Sequence, residues 1–143
     1  MSVAEILNDK GGDVVTIDQS ATLVEAARLL GEHGIGAVVV MDKSTDAVAG
    51  ILSERDIVRR IGGAGDKALD STVSDCMTKA VTSCTRDATI DDAMAQMTEG
   101  RFRHLPVLEN GSLVGIVSIG DVVKRKIDTS ERDREELRRY IAG

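Results

Sequence analysis

Gly50-Ile51-Leu52-Ser53-Glu54-Arg55-Asp56-Ile57-Val58-Arg59-Arg60 returns later in the chain as Gly115-Ile116-Val117-Ser118-Ile119-Gly120-Asp121-Val122-Val123-Lys124-Arg125. Each copy is a glycine and an apolar run, then Ser-x-x-Asp, then an apolar pair and two positions ending in arginine. The match extends backwards. Val40-Met41-Asp42 corresponds to Val107-Leu108-Glu109, and Ala21-Thr22-Leu23-Val24-Glu25-Ala26-Ala27 to Ala88-Thr89-Ile90-Asp91-Asp92-Ala93-Met94. Val3–Leu7 resembles Val73–Met77 in the same way. Self-similarity of this kind marks a duplicated structural unit.

Both copies predict the same elements in the same order. A short apolar run, Val14–Ile17 or Val81–Cys84, reads as a strand. Thr22-x-x-Glu25 and Thr89-x-x-Asp92 have the form of capping boxes that open helices. Leu23, Ala26, Ala27 and Leu30, like Ile90, Ala93, Met94 and Met97, recur at helical spacing and give each helix one apolar face. Strands follow at Ala37–Met41 and Leu105–Leu108, then a turn, then strands at Val48–Leu52 and Leu113–Val117. Asn110-Gly111 is a strong signal for the second hairpin. Closing helices begin at Ser53 and Ser118. The order is β-α-β-β-α, twice, which makes an α+β fold. Half a chain buries too little surface alone, so the two halves should share a core. The expected division is 1–66, 67–128 and a charged tail, 129–143, carrying Leu137, Tyr140 and Ile141 at helical spacing. Glycine-rich Ile61–Leu69 links the halves.

Composition narrows the function. The 143 residues are 42% apolar, with one Phe, one Tyr and no Trp, and carry a net charge of −6. Global attraction to nucleic acid or anionic membrane is not expected, and single-strand stacking platforms are lacking. Cys76 and Cys84 have no metal-ligand spacing and read as free thiols of a reducing compartment. The N-terminus lacks signal-peptide form, and no apolar stretch is long enough to span a bilayer. A cytoplasmic protein is expected. No metal site, nucleophile arrangement or Walker-type loop appears, so the chain does not read as an enzyme.

The duplicated Gly-apolar-apolar-Ser-x-x-Asp motif, supported by Arg103-His104-Leu105-Pro106-Val107, resembles the CBS domain family, named after cystathionine β-synthase. The resemblance covers roughly residues 3–128. It implies two repeats packed about a pseudo-twofold axis, a stand-alone Bateman module. It also implies up to two clefts that take adenosyl ligands: AMP, ADP, ATP, NAD(H) or S-adenosylmethionine. Such modules regulate a partner protein by ligand-dependent conformational change.

The resemblance places Asp56 and Asp121 on the ribose, whose two hydroxyls suit a carboxylate acceptor. Ser53 and Ser118 stand at helix N-termini, where phosphate is favoured. Both Ser-x-x-Asp pairs also have the form of simple helix caps, and the two roles can coexist. Arg103 and His104 match phosphate-contacting positions of the second repeat. Arg55 is either a further phosphate contact or a solvated helix residue. By the same matching, Asp56 faces Arg103 and His104, with Ala80, Val81 and Thr82 as the adenine wall. Asp121 then shares its cleft with Gly36, Ala37 and the wall Asp13, Val14 and Val15. Unequal clefts are expected, because the first copy has Gly36-Ala37 where the second has Arg103-His104. The cations favour AMP, ADP, ATP or NAD(H) over S-adenosylmethionine, which carries a sulfonium. A homodimer is expected. The rival reading is a dimeric docking scaffold with no obligatory ligand.

Overall fold

The start of the chain does not pack on the residues that follow it. In the computed structural model, which describes residues 1–79 and 81–142, helix α1 (Val3–Lys10) buries Val3, Ile6 and Leu7 in the core of the second repeat. Its sequence counterpart, the short helix α4 (Val73–Cys76), buries Val73 in the core of the first. Each repeat therefore lends the other a helix. Val3 N–H donates to the Ala88 carbonyl at 2.9 Å, and Val73 N–H to the Ala21 carbonyl at 2.8 Å, so the exchange is symmetric down to its hydrogen bonds. Burying side chains of this kind contributes about 1.5–3 kcal/mol each. The packing units thus cross the sequence boundary between the copies.

The first repeat contains β1 (Thr16–Asp18), α2 (Leu23–His33), β2 (Ala37–Asp42), β3 (Ala47–Ser53) and α3 (Glu54–Ala64). β1 runs parallel to β2, and β2 is antiparallel to β3. After α4 the second repeat contains α5 (Ile90–Gly100), β4 (His104–Glu109), β5 (Ser112–Ser118) and α6 (Ile119–Ala142), with β4 antiparallel to β5. The four expected capping boxes form, at Thr22–Glu25, Ser53–Asp56, Thr89–Asp92 and Ser118–Asp121. A fifth, Thr72–Asp75, opens α4. Asn110 and Gly111 both take positive φ, 52° and 82°, as the tight hairpin requires.

Two expectations are corrected. Val81–Cys84 is not a strand: only Cys84 pairs, in a single parallel bridge with Val107. Pro106 supplies the reason. In the first repeat Val39 N–H donates to the Val15 carbonyl beside β1. Pro106 stands at the position of Val39 and has no N–H to offer Thr82, the counterpart of Val15. The ladder stops, and Val81 and Thr82 are released from the sheet. Next, the glycine-rich Ile61–Leu69 link is largely helical. α3 runs to Ala64 and a 3-10 turn continues over Gly65–Asp70, because Ile57, Ala64 and Ala68 pack into the first core. The tail is helical through Ala142, as its spacing predicted, and continues α6 without a break.

Gly50 and Gly115 occupy equivalent places in β3 and β5, each under the helix lent by the other repeat. A Cβ on Gly50 would lie 2.6 Å from the Thr78 carbonyl oxygen, whereas one on Gly115 would lie 2.6 Å from a Leu7 methyl. Backbone cannot yield as a side chain can. Gly50→Ala should therefore destabilise by about 1–3 kcal/mol, and Gly115→Ala by less. Thermal or urea unfolding of the two variants measures the difference.

Candidate functional site

The Ser53-x-x-Asp56 turn lies at the end of β3, where the strand gives way to α3. Ser53 N–H donates to Asp56 Oδ2 at 2.9 Å, and Asp56 N–H to Ser53 Oγ at 3.4 Å. The box fixes the carboxylate at the mouth of a cleft between the repeats, with about 150 Å3 of internal space. The cleft brings together Ser53, Arg55 and Asp56 of the first repeat with Val81, Thr82, Arg103 and His104 of the second. Ala80, the remaining expected wall residue on this side, lies outside the described residues. Asp13, Val14, Val15, Ser118 and Asp121 do not line this cleft.

Gly36 and Ala37, expected beside Asp121, line the Asp56 cleft. The Gly36 carbonyl accepts from Glu54 N–H at 2.9 Å, which ties the start of β2 to the start of α3. Gly36 also keeps space open between Glu54 and His104, since a Cβ there would stand 3.5 Å from each.

Two further arginines line the cleft. Arg59 follows Arg55 by one helical turn, so the two share a face of α3. Arg101 is the C-cap of α5 with φ 58°, in the left-handed region that disfavours a side chain. The matching residue after α2 is Gly34, with φ 62°. The signal was thus present in the repeat alignment: one copy has the comfortable glycine, the other an arginine. Arg55, Arg59, Arg101 and Arg103 have no ion-pair partner among the described residues. Four guanidiniums against Glu54 and Asp56 make a locally cationic cleft in a chain of net charge −6. An adjoining groove shares Arg55, Arg101, Phe102 and Arg103. The arrangement is suited to an anion with hydroxyls at one end and an apolar ring against Ile51, Val81 and Pro106.

At the second motif the geometry repeats but the electrostatics differ. Ser118 N–H donates to Asp121 Oδ2 at 2.9 Å, as in the first copy. The same oxygen also accepts from Lys10 Nζ at 2.8 Å. Burial works to raise the Asp121 pKa, but the Lys10 ammonium and the Ser118 amide outweigh it and hold the carboxyl below its ordinary value.

The CBS domain profile matches residues 3–63 and again 73–128. The chain belongs to the CBS domain family. Among CBS relatives, the mitochondrial protein CBSX3 of Arabidopsis thaliana is 31% identical over 99% of this chain and 72% of its own. A 17.7 kDa protein from the bps2 3′ region of Acidianus ambivalens is 41% identical over 80% of this chain and 68% of its own. The crystal structure of the CBS-domain protein ATU1752 from Agrobacterium tumefaciens aligns with a TM-score of 0.84 and 50% identity over 87% of this chain and 92% of that one. The CBS pair of MJ0100, crystallised with 5′-methylthioadenosine and S-adenosyl-L-methionine, shares the fold at a TM-score of 0.79 and 24% identity, over 90% of this chain and 98% of that one. No helix among the described residues is long and apolar enough to cross a membrane.

His104 is half-buried at the cleft, and burial pushes its pKa below the ordinary imidazole value despite opposing pulls from Asp121 and Glu54. The unfolded chain therefore takes up the proton first. The stability this group contributes is complete above the unfolded pKa of about 6.5 and is lost as pH falls through the lower, folded value. Melting temperatures measured from pH 7.5 to 5 should fall less steeply in His104→Gln than in the parent chain.

Proposed function

We propose that the chain is an adenine-nucleotide sensor that binds AMP, ADP, ATP or NAD(H) in the Asp56 cleft and acts on a partner protein through the resulting change in shape. The observation that carries this reading is the convergence of four arginines on the cleft that also holds Ser53 and Asp56. Asp56 takes the ribose hydroxyls. The enclosed space suits a purine against Val81, with the released Val81–Thr82 backbone along its edge. The phosphates run out along Arg55, Arg101 and Arg103, beside the positive end of the α3 dipole. The MJ0100 pair is crystallised with adenosyl compounds lacking phosphate. The cationic lining here selects instead for phosphate and against a sulfonium. The reading needs no chemical step, so the chain is a regulator and not an enzyme, and a cytoplasmic home supplies the nucleotides.

Exposed apolar side chains favour a dimeric scaffold as the second reading. Val58 and Ile61 on α3 and Val123, Ile127, Leu137, Tyr140 and Ile141 on α6 are all exposed. The α6 positions recur near heptad spacing, as a helix packing against a second copy requires. A homodimer is compatible with both readings. Ligand response separates them.

The test is thermal stability of ligand-stripped protein against AMP, ADP, ATP, NAD+, NADH and S-adenosylmethionine. A hundredfold excess of a bound ligand over its Kd stabilises by about 2.7 kcal/mol. The shift should appear with phosphorylated ligands and vanish in Asp56→Ala. Arg101→Gly should not lower the ligand-free melting temperature, because glycine relaxes the left-handed cap, yet should reduce the shift. No shift with any nucleotide at millimolar concentration moves the assignment to the scaffold.

A further inference from the structure

The two Ser-x-x-Asp motifs have the same cap geometry and different neighbours. Among the described residues, Asp56 Oδ2 is bonded only within its own box, by Ser53 N–H at 2.9 Å and Ser53 Oγ at 3.2 Å. Asp121 Oδ2 is bonded by its box and also by the ammonium of Lys10, which arrives from the far end of the chain.

We propose that Lys10 is the internal occupant of the second cleft, so that each chain takes one nucleotide and not two. The inference rests on the nucleotide reading of the Asp56 cleft and concerns what distinguishes its twin. Lys10 does more than neutralise Asp121. Its ammonium also donates to the Ile116 carbonyl at 2.9 Å. Ile51, the counterpart of Ile116, has that carbonyl satisfied by the backbone N–H of Thr78 at 2.9 Å. The lysine side chain thus supplies, in the second repeat, the donor that the chain backbone supplies in the first.

Helix length accounts for the difference. α4 ends at Cys76, and Met77 turns extended at φ −65° and ψ 157°, which delivers Thr78 to β3 as backbone. α1 continues to Lys10 before Gly11, at φ 91°, ends it. The longer helix carries a side chain to the place where its twin brings main chain. α1 is also clamped against α6, since Arg125 bonds Glu5 at 3.0 Å and Asp9 on the same helix face. Lys10 is therefore held in place by a buried apolar face and by a row of ion pairs along one side. The charges of Lys10 and Asp121 reach across to the imidazole of His104, as do those of Glu54 and Arg103. A ribose approaching Asp121 meets an ammonium already on the carboxylate. To bind, it must expel Lys10 from both the aspartate and the Ile116 carbonyl.

Calorimetric titration with ATP counts the sites. The parent chain and Lys10→Arg, which keeps the ion pair, should each bind one equivalent per chain. Lys10→Met keeps the apolar stem and removes the charge. It should bind two, and Lys10→Met/Asp121→Asn should return to one. Circular dichroism melts check that each variant is folded before titration. Two equivalents in the parent chain, or one in both the parent and folded Lys10→Met, overturns the inference and leaves the Asp56 reading standing. If the parent binds none but Lys10→Met binds one equivalent that Asp121→Asn removes, the Asp56 reading fails and the role of Lys10 stands. If no variant binds, both fail.

Discussion

The exchange of α1 and α4 between the repeats is the constraint on which the rest of the molecule depends. Neither repeat completes its core from its own consecutive residues, because Val3, Ile6 and Leu7 lie in one and Val73 in the other. The crossing segments must pass over the outer surfaces of β3 and β5, and this is why Gly50 and Gly115 carry no side chain. It also fixes the two Ser-x-x-Asp turns on opposite sides of a pseudo-twofold axis, each facing residues from the other half. The cleft is a consequence of how the core is closed.

Duplication sets up two equivalent Ser-x-x-Asp turns, and a few residues make their surroundings unequal. Pro106 withholds one N–H and frees Val81–Thr82 to line the Asp56 cleft, while its counterpart Val39 anchors β1. Arg101 retains a guanidinium at a backbone position where Gly34 sits without strain, at a cost of about 1 kcal/mol. Strain kept in a cleft lining is a pointer to use. Lys10 engages the carboxylate of the second turn from within the chain. On this account a symmetric scaffold becomes a sensor with one input through changes that leave its cores untouched.

What was legible in the sequence was whatever is decided locally or by repetition. The helices announced themselves through Thr22-x-x-Glu25 and Thr89-x-x-Asp92, the second hairpin through Asn110-Gly111, and the grouping of Asp56 with Arg103 and His104 through the resemblance to the CBS family. What was not legible depends on long-range partners. Gly62 and Gly63 read as a linker, but tertiary packing of Ile57 and Ala64 holds them in helix. Val81–Cys84 read as a strand by its own pattern, and the obstacle lay in the missing donor of Pro106. The partnership of Lys10 with Asp121 spans nearly the whole chain, and no spacing rule connects them.

The most direct measurement is a crystal structure of the parent chain grown with ATP. The account predicts one nucleotide per chain, with ribose hydroxyls on Asp56, phosphates among Arg55, Arg101 and Arg103, and Lys10 still bonded to Asp121. A nucleotide seated on Asp121, or one bound with its phosphates away from the arginines, would contradict it.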